Sequence, residues 1–340
     1  MHRILSASCA AAVALGLAGA APAADYAWQP DQPVTIIVPW AAGGSTDQVT
    51  RVVAGELEEA LGQSFVIVNQ PGASGSVGTK NAWDAPHDGM TWAAGAASDL
   101  GTYPVLGMLE HQLADWALFL DVANVSVIGV NPDAPYEDVT QLLDAMKANP
   151  GQVSVATAGL SSAGHNAMEA IAQQTGVEYK HVTYDGGNPA VIATVAGETQ
   201  VTTQLASEQA EMIRAGRIKP LAVIGNEPLE LAGYGTIPPV SDWVENVSFA
   251  TNYFGIWAPA DVPDEVFQTM DKVWEETIAN SEALKTYAAD RGALFTPIYG
   301  EEAQAKAMDM VRQNSWLLYE AGKAENDPSQ FGIEKPEGMQ

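Results

Sequence analysis

The amino-acid sequence predicts an α/β fold built from two lobes. Short apolar runs alternate with segments of helical periodicity, and turns rich in glycine separate many of them. This pattern starts at Val34 and starts again at Ser126. Strands that alternate with helices form parallel sheets covered by helices, so we expect one such sheet in each half of the chain.

The first half opens with an apolar strand at 34–38. A helix is predicted at 46–61, because valines and leucines recur on one face, and Gly62 is suited to end it. The next predicted elements are a strand at 65–68, a helix that ends at Trp83 and a strand at 90–94.

The second half repeats the alternation after Val125. The predicted elements are strands at 126–130 and 153–156, helices at 136–148 and 165–175, and alternating segments at 177–182, 190–195, 201–204, 208–215 and 221–224. A loop at 227–239, a strand at 254–258 and two long helices at 263–291 and 300–322 follow. We expect the last helices to return to the first lobe. Lobe 1 would then comprise 30–125 and 254–334, and lobe 2 would comprise 126–253.

The N-terminus has the features of a secretory signal peptide. A basic start precedes an almost wholly apolar run at 4–20, and Ala21-Pro22-Ala23 has the small-x-small pattern of a cleavage site. We therefore expect a signal peptide at 1–23, cleavage near Ala23 and a periplasmic protein. An uncleaved anchor helix is the alternative, although the run is short for a membrane span.

Composition narrows the function further. The single cysteine, Cys9, lies in the signal segment, so a cleaved chain would have no disulfide, catalytic thiol or cysteine metal site. The chain has 15 basic and 42 acidic residues and a formal charge of −27. Such a charge repels phosphate backbones and anionic lipid, which argues against nucleic acid and membrane-surface partners.

Three loops rich in glycine and serine follow predicted strands, at 39–47, 72–78 and 157–165. Backbone N–H groups at a helix N-terminus favour an anion, and ligands of α/β sheets bind where such loops gather. No Gly-Lys-Ser/Thr follows, so the first loop is not a phosphate loop. An ordinary turn capped by Thr46 or Asp47 is the alternative for this loop.

Cations are scarce around these loops. Lys80 is the only basic residue between Arg51 and Lys147. A bound carboxylate would therefore be held by backbone N–H groups, hydroxyl groups, helix dipoles and ordered water.

The sequence offers little for enzyme chemistry. His87, His111, His165 and His181 are isolated from metal-binding partners. Ser161 and Ser162 precede His165 closely, but without the Gly-x-Ser-x-Gly elbow of a serine hydrolase. We therefore predict no catalytic residue, metal or cofactor. A secreted hydrolase that uses a serine with His165, and a purely structural exported protein, are the alternatives.

Several motifs in a fixed order resemble the solute receptors of tripartite tricarboxylate transporters, also called the Bug receptors. The motifs are VPWAAGGSTD at 38–47 followed by Arg51, NQPGASG at 69–75, DGMT at 88–91, Gly164-His165, HVTYDGGNPA at 181–190, IRAGRIKPLAV at 213–223 and GIWAP at 255–259. The resemblance extends from about residue 33 to about residue 297.

This resemblance implies a type II periplasmic-binding-protein fold, with crossovers near Ser126 and Phe254 and a ligand cleft between the lobes. It implies a small carboxylate ligand, commonly a di- or tricarboxylate, an aromatic acid or an amino acid. It also implies integral membrane partners, one large and one small transporter subunit, and we expect the receptor to be a monomer. A receptor of the same fold for another solute class, feeding an ABC importer or a sensor kinase, is the alternative.

The candidate ligand-binding residues lie in the loops of the expected cleft. They are Trp40, Ala41, Ala42, Gly43, Gly44, Ser45, Asp47, Gly72, Ala73, Ser74, Gly75, Ser98, Ser161, Ser162, His165, Tyr184, Gly186, Gln204 and Ser207. The chain departs from the family pattern at Val68, Gln70, Asp185 and Thr202. These departures leave the specific acid open, and we expect Gln204 or Ser207 to suit a second carboxylate or a hydroxyl group.

Overall fold

The computed structural model describes residues 26–247 and 251–336. The predicted signal peptide at 1–23 lies outside these residues. Within the described part, no helix combines the length and apolar character that a membrane crossing needs.

The described residues form thirteen strands and ten α-helices. In chain order they are β1 (Val34–Val38), α1 (Ser45–Leu61), β2 (Phe65–Asn69), α2 (Ser76–Trp83), β3 (Thr91–Ala96), α3 (Ala97–Val105), β4 (Trp116–Asn124), β5 (Val127–Val130), α4 (Val139–Ala148), β6 (Ser154–Thr157), α5 (Ala163–Thr175), β7 (Lys180–Thr183), α6 (Gly187–Val195), β8 (Val201–Thr202), α7 (Ala206–Arg214), β9 (Lys219–Val223), β10 (Leu229–Leu231), β11 (Gly235–Ile237), β12 (Asn252–Pro259), α8 (Asp264–Glu276), α9 (Glu282–Arg291), β13 (Leu294–Tyr299) and α10 (Gly300–Glu320).

Eleven of these strands build two large sheets, which confirms the predicted α/β class, and β10 and β11 pair in a separate two-stranded sheet. The first has six strands in the order β13-β4-β12-β3-β1-β2, and the second has five in the order β7-β6-β8-β5-β9. The predicted parallel pairing occurs between β1 and β2, β1 and β3, β6 and β7, and β6 and β8, but both sheets are mixed. β12 pairs antiparallel with both β3 and β4, and β5 pairs antiparallel with both β8 and β9. The antiparallel strands are the ones that lead the chain from one sheet to the other.

Each sheet has its own apolar core. In the first, Trp92 meets Phe119 edge to face at 5.7 Å, and the Trp274 indole N–H donates to the Leu120 carbonyl at 2.7 Å. In the second, Val155 of β6 and Met146 of α4 are fully buried. The two sheets meet where Ala158 and Leu205, from loops of the second sheet, pack in the apolar cluster of the first. The lobe boundaries listed above remain a prediction.

Some predicted elements differ from those observed. The helix expected at 263–291 is two helices, because the chain turns after Glu276 and the Ser281 hydroxyl caps α9 by accepting the Leu284 N–H at 3.1 Å. The loop expected at 227–239 contains the β10–β11 hairpin. The sequence did not predict α3, β4 and β13. In α3, Gly101 and Pro104 weaken the helical signal.

Gly101 allows α3 to pack directly on α10. A Cβ atom at this position would lie 2.4 Å from Val311 Cγ1. Gly55 in α1 is also helical, but a Cβ atom there would meet nothing within 4 Å. Substitutions at these two glycines therefore distinguish the effect of helix propensity on stability from the effect of packing.

We expect Gly55→Ala to raise the free energy of unfolding by up to about 1 kcal/mol, because alanine favours a helix over glycine. Gly101→Ala should instead lower it by about 1–3 kcal/mol through overpacking. Urea unfolding of both variants measures the difference. An equal gain in both variants would contradict the close approach of α3 and α10.

Candidate functional site

A small cavity of about 30 Å³ lies where the loops of the two sheets meet. Its lining residues come from both halves of the chain: Trp40, Gly44, Ser45, Thr46, Ala96, Asp99, Ala158, Ser162, Ala163, Gly187, Gln204, Leu205, Glu208 and Phe254. Five of the sequence candidates are among them, namely Trp40, Gly44, Ser45, Ser162 and Gln204. The cavity has room for one or two water molecules.

The Asp47 side chain holds the first loop in its conformation through hydrogen bonds. Its carboxylate accepts the Gly43 N–H at 2.9 Å, the Arg51 guanidinium at 2.8 Å and the Asn69 amide at 3.0 Å. Burial opposes the charge, but these hydrogen bonds hold the pKa of Asp47 below its ordinary value. Asp47 therefore shapes the loop rather than facing the cavity, while Gly43 turns the chain with a φ of +83°.

The second loop is held in an uncommon backbone conformation. Ala73 and Ser74 both have positive φ angles, 43° and 54°, which non-glycine residues seldom adopt. The Tyr103 hydroxyl donates to the Ser74 carbonyl at 3.2 Å. A Cβ atom on Gly75 would lie 2.6 Å from the same hydroxyl, so only glycine fits there. Gly72, with a φ of +140°, begins the turn. In this conformation the Ser74 side chain reaches the opposite sheet's side, where its Oγ accepts the Leu160 N–H.

In the third loop, the serines and the histidine do not pair with one another through their side chains. The Ser161 hydroxyl donates to the Ser74 carbonyl at 3.0 Å, and the Ser162 hydroxyl donates to the Gly159 carbonyl at 2.7 Å. His165 is fully buried, with Nδ1 2.8 Å from the Leu160 carbonyl, and burial lowers its pKa. Ser162 caps α5, and His165 is not among the residues that line the cavity. This arrangement differs from that of a nucleophile with its base.

Loops of the two sheets hydrogen-bond directly across the cleft. The Ala41 N–H donates to the Asp185 carbonyl at 2.8 Å, and the Leu160 N–H donates to Ser74 Oγ at 2.9 Å. The hydroxyl groups of Ser207 and Ser45 are 2.9 Å apart. The cleft is therefore closed in this structure.

The remaining sequence candidates surround the cavity without lining it. The Ser98 hydroxyl donates to Asn252 Oδ1 at 3.2 Å, at the start of β12. Tyr184 lies beside Glu198 and is not among the residues that line the cavity. A Cβ atom on Gly186 would lie 3.0 Å from the Ala41 nitrogen. Ala42 is the exposed residue of the first turn.

Two acidic residues in the cavity wall were not among the sequence candidates. Glu208, which is partly buried, accepts the Ser45 N–H at 3.2 Å and the Gln204 amide at 2.9 Å. Burial raises its pKa despite these bonds. Asp99 is 3 % exposed, and its Oδ1 has no hydrogen-bond partner among the described residues. Burial raises the pKa of Asp99 well above its ordinary value.

No sequence motif pointed to these acids. Glu208 begins a predicted segment directly after the candidates Gln204 and Ser207, so its proximity to them was the available signal. Asp99 lies in the segment whose helix was not predicted.

Comparisons with known proteins agree on one family. The model of the tripartite tricarboxylate transporter family receptor, TctC, matches residues 49–315. An uncharacterised protein from the tcbD–tcbE intergenic region of Pseudomonas sp. strain P51 is 30 % identical over 258 residues, covering 74 % of this chain and 75 % of that protein. BugT of Bordetella pertussis is 25 % identical over 302 residues, covering 86 % and 90 %.

Solved structures have the same fold. A TctC solute-binding protein from Polaromonas is 26 % identical, with a TM-score of 0.61, over 86 % of this chain and 99 % of that chain. The periplasmic binding protein BugD is 24 % identical, with a TM-score of 0.79, over 87 % and 99 %. The predicted resemblance is confirmed: this chain belongs to the TctC family of tripartite tricarboxylate transporter receptors, the Bug solute-binding proteins.

Proposed function

We propose that this protein captures a small organic carboxylate in the cleft between its two sheets and delivers it to a tripartite tricarboxylate transporter. The observation that supports this most is the convergence of five helix N-termini on the cavity. They are those of α1, α3, α5, α6 and α7, which begin at Ser45, Ala97, Ala163, Gly187 and Ala206. Each N-terminus carries roughly half a positive charge, so together they attract an anion without a cationic side chain.

Closure would trap the ligand. The contacts between Ala41 and Asp185 and between Ser74 and Leu160 are available only when the two sheets approach each other. A ligand that touches both walls adds to these contacts and shifts the population toward the closed form. Binding of this kind needs no catalytic group.

The proposed ligand-binding residues are those of the three loops, with Gln204 and Ser207 on the second sheet's side. Structures of the same fold have been solved for Rhodopseudomonas palustris proteins with adipate and with malate. These ligands belong to the class that we propose here. The proposed setting is a periplasmic monomer that docks on large and small integral membrane subunits.

A thermal-shift panel tests the ligand class. We expect at least one carboxylic acid to raise the melting temperature by several degrees, because a ligand at a hundred times its Kd stabilises the native state by about 2.7 kcal/mol. Sugars and inorganic cations serve as controls. A shift with a sugar alone would identify a receptor for another solute class, and hydrolysis of ester substrates would favour the hydrolase.

Gly159 tests whether closure is needed for binding. Its φ is +143°, and a Cβ atom there would lie 2.4 Å from Ser74 Oγ of the opposite wall. Gly235 is the matched control, since its φ is +123° and a Cβ atom there would meet nothing within 4 Å. Both alanine variants therefore carry backbone strain, but only one blocks the cleft.

We expect Gly159→Ala to weaken ligand affinity at least about tenfold, equivalent to about 1.4 kcal/mol, because the closed contacts cannot form. Gly235→Ala should lose stability but retain affinity. Isothermal titration calorimetry with the ligand identified by the panel measures both. Unchanged affinity in Gly159→Ala would rule out this closed cleft as the binding form.

A further inference from the structure

A second and much larger cavity lies beside the segments that connect the two sheets. Its volume is about 380 Å³, compared with about 30 Å³ for the cavity between the loops. Residues of both connecting segments line it, namely Asn124, Val125 and Ser126 in the first and Asn252 in the second. The rest of its wall comes from α5, α10, the start of β13, the end of β9 and the loop after β9. We call it the crossover cavity.

Most of the surface of the crossover cavity is apolar, as illustrated by Ala167 and Ala170 of α5 and Leu317 of α10. Among the described residues that line it, the only charged one is Glu227, which is exposed. Cavities of roughly 300–1,000 Å³ with apolar walls and a few polar groups are typical binding sites for small molecules. A charged ligand would lose its hydration here without a buried opposite charge to replace it. The wall therefore favours an uncharged ligand.

Four amide side chains in this wall contain atoms that have no hydrogen-bond partner among the described residues. The atoms are Nδ2 and Oδ1 of Asn124, Oδ1 of Asn166, Nδ2 of Asn252 and Oε1 of Gln313. The three asparagines are at most 5 % exposed. A buried amide atom without a partner costs free energy, because the water that it loses is not replaced. The wall thus holds two donor nitrogens and three acceptor oxygens whose hydrogen bonds are unmade.

Other hydrogen bonds hold two of these amides in place. Oδ1 of Asn252 accepts the Ser98 hydroxyl at 3.2 Å, and Nδ2 of Asn166 donates to the Ser161 carbonyl at 3.1 Å. Asn252 lies opposite Asn124 in the pairing of β12 with β4. The amides are therefore positioned before any ligand arrives, which lowers the cost of ordering them on binding.

We propose that the crossover cavity is a second binding site, for a small uncharged molecule with an apolar body and an amide or hydroxyl group. Its polar group would pair with the amides of Asn124 and Asn252, and its apolar body would lie against α5 and α10. An amide or a hydroxyl group contains both a donor and an acceptor, so it can satisfy both kinds of unpartnered atom. This inference does not depend on the proposed carboxylate function.

A series of probes tests the chemical class of the ligand. Benzamide, hexanamide and cyclohexanol are the uncharged probes. Benzamidinium has nearly the shape of benzamide but carries a positive charge, and toluene has the ring without the polar group. We expect benzamide to bind at least about tenfold more tightly than benzamidinium and toluene, measured by isothermal titration calorimetry. Tighter binding of benzamidinium, or no saturable binding of any uncharged probe, would overturn the proposal.

A variant that fills the cavity tests where the probe binds. Met310 of α10 lines the crossover cavity and is partly buried, so a tryptophan there adds volume at the wall. Lys306→Trp is the matched control, because Lys306 lies about one turn earlier on α10, is exposed and is not part of the lining. We expect Met310→Trp to weaken the tightest uncharged probe at least about tenfold and Lys306→Trp to retain its affinity. Equal affinity in both variants would mean that the probe binds elsewhere.

Asn124→Leu tests the role of the amides. The substitution keeps the approximate shape of the side chain and removes both of its unpartnered atoms. We expect the affinity for benzamide to fall at least about tenfold, while toluene binds as tightly as before or more tightly. The melting temperature of the unliganded protein should stay the same or rise, because two unmade hydrogen bonds are no longer buried. A lower melting temperature with unchanged affinity for benzamide would mean that Asn124 serves the fold alone, and would overturn the proposal.

Discussion

The pairing of β4 with β12 is the constraint on which the site depends. These strands run antiparallel in the middle of the first sheet, from Trp116 opposite Pro259 to Asn124 opposite Asn252. β4 is almost entirely buried, and the chain leaves it through Val125 to enter the second sheet at β5. Two neighbouring strands thus connect the sheets at one edge. The loops that follow β1, β3, β6 and β8 consequently face one another across a single cleft.

Closing the cleft forms hydrogen bonds that each stabilise it slightly, and it has local costs in free energy from burial and strain. Each hydrogen bond across it contributes on the order of 1 kcal/mol net, because water would otherwise satisfy the same groups. Against these stand the dehydration of Asp99, which finds no compensating partner for Oδ1, and the strained backbone at Ala73 and Ser74. A binding protein gains from such a balance. A ligand that contacts both walls supplies the free energy that closure alone does not.

The sequence predicted the local parts of this site and missed the parts created by tertiary contacts. The first loop, α1 and its ending at Gly62 follow from periodicity and glycine placement, which depend on neighbouring residues only. The Ser45–Glu208 bond joins residues 163 positions apart, so no spacing rule could reveal it. Asp99 was not a sequence candidate because it lies in α3, which owes its helical form to packing on α10 rather than to helix propensity. The antiparallel pairing of β4 with β12 joins distant parts of the chain, so the sequence pattern did not predict it either.

The third loop is anchored by a buried polar cluster that extends away from the cleft. The His165 ring stacks on His181 with centroids 4.2 Å apart, and burial lowers the pKa of His181 to about 3. Glu169, one turn further along α5, accepts hydrogen bonds from Tyr179 and from Lys323, which follows α10.

Burial lowers the pKa of both rings and so favours their neutral forms, which reduces charge repulsion in the stack. Through Lys323 this anchor also reaches a helix that packs on the first sheet. A cleft whose polar groups are already in place binds its ligand at a lower cost in conformational ordering.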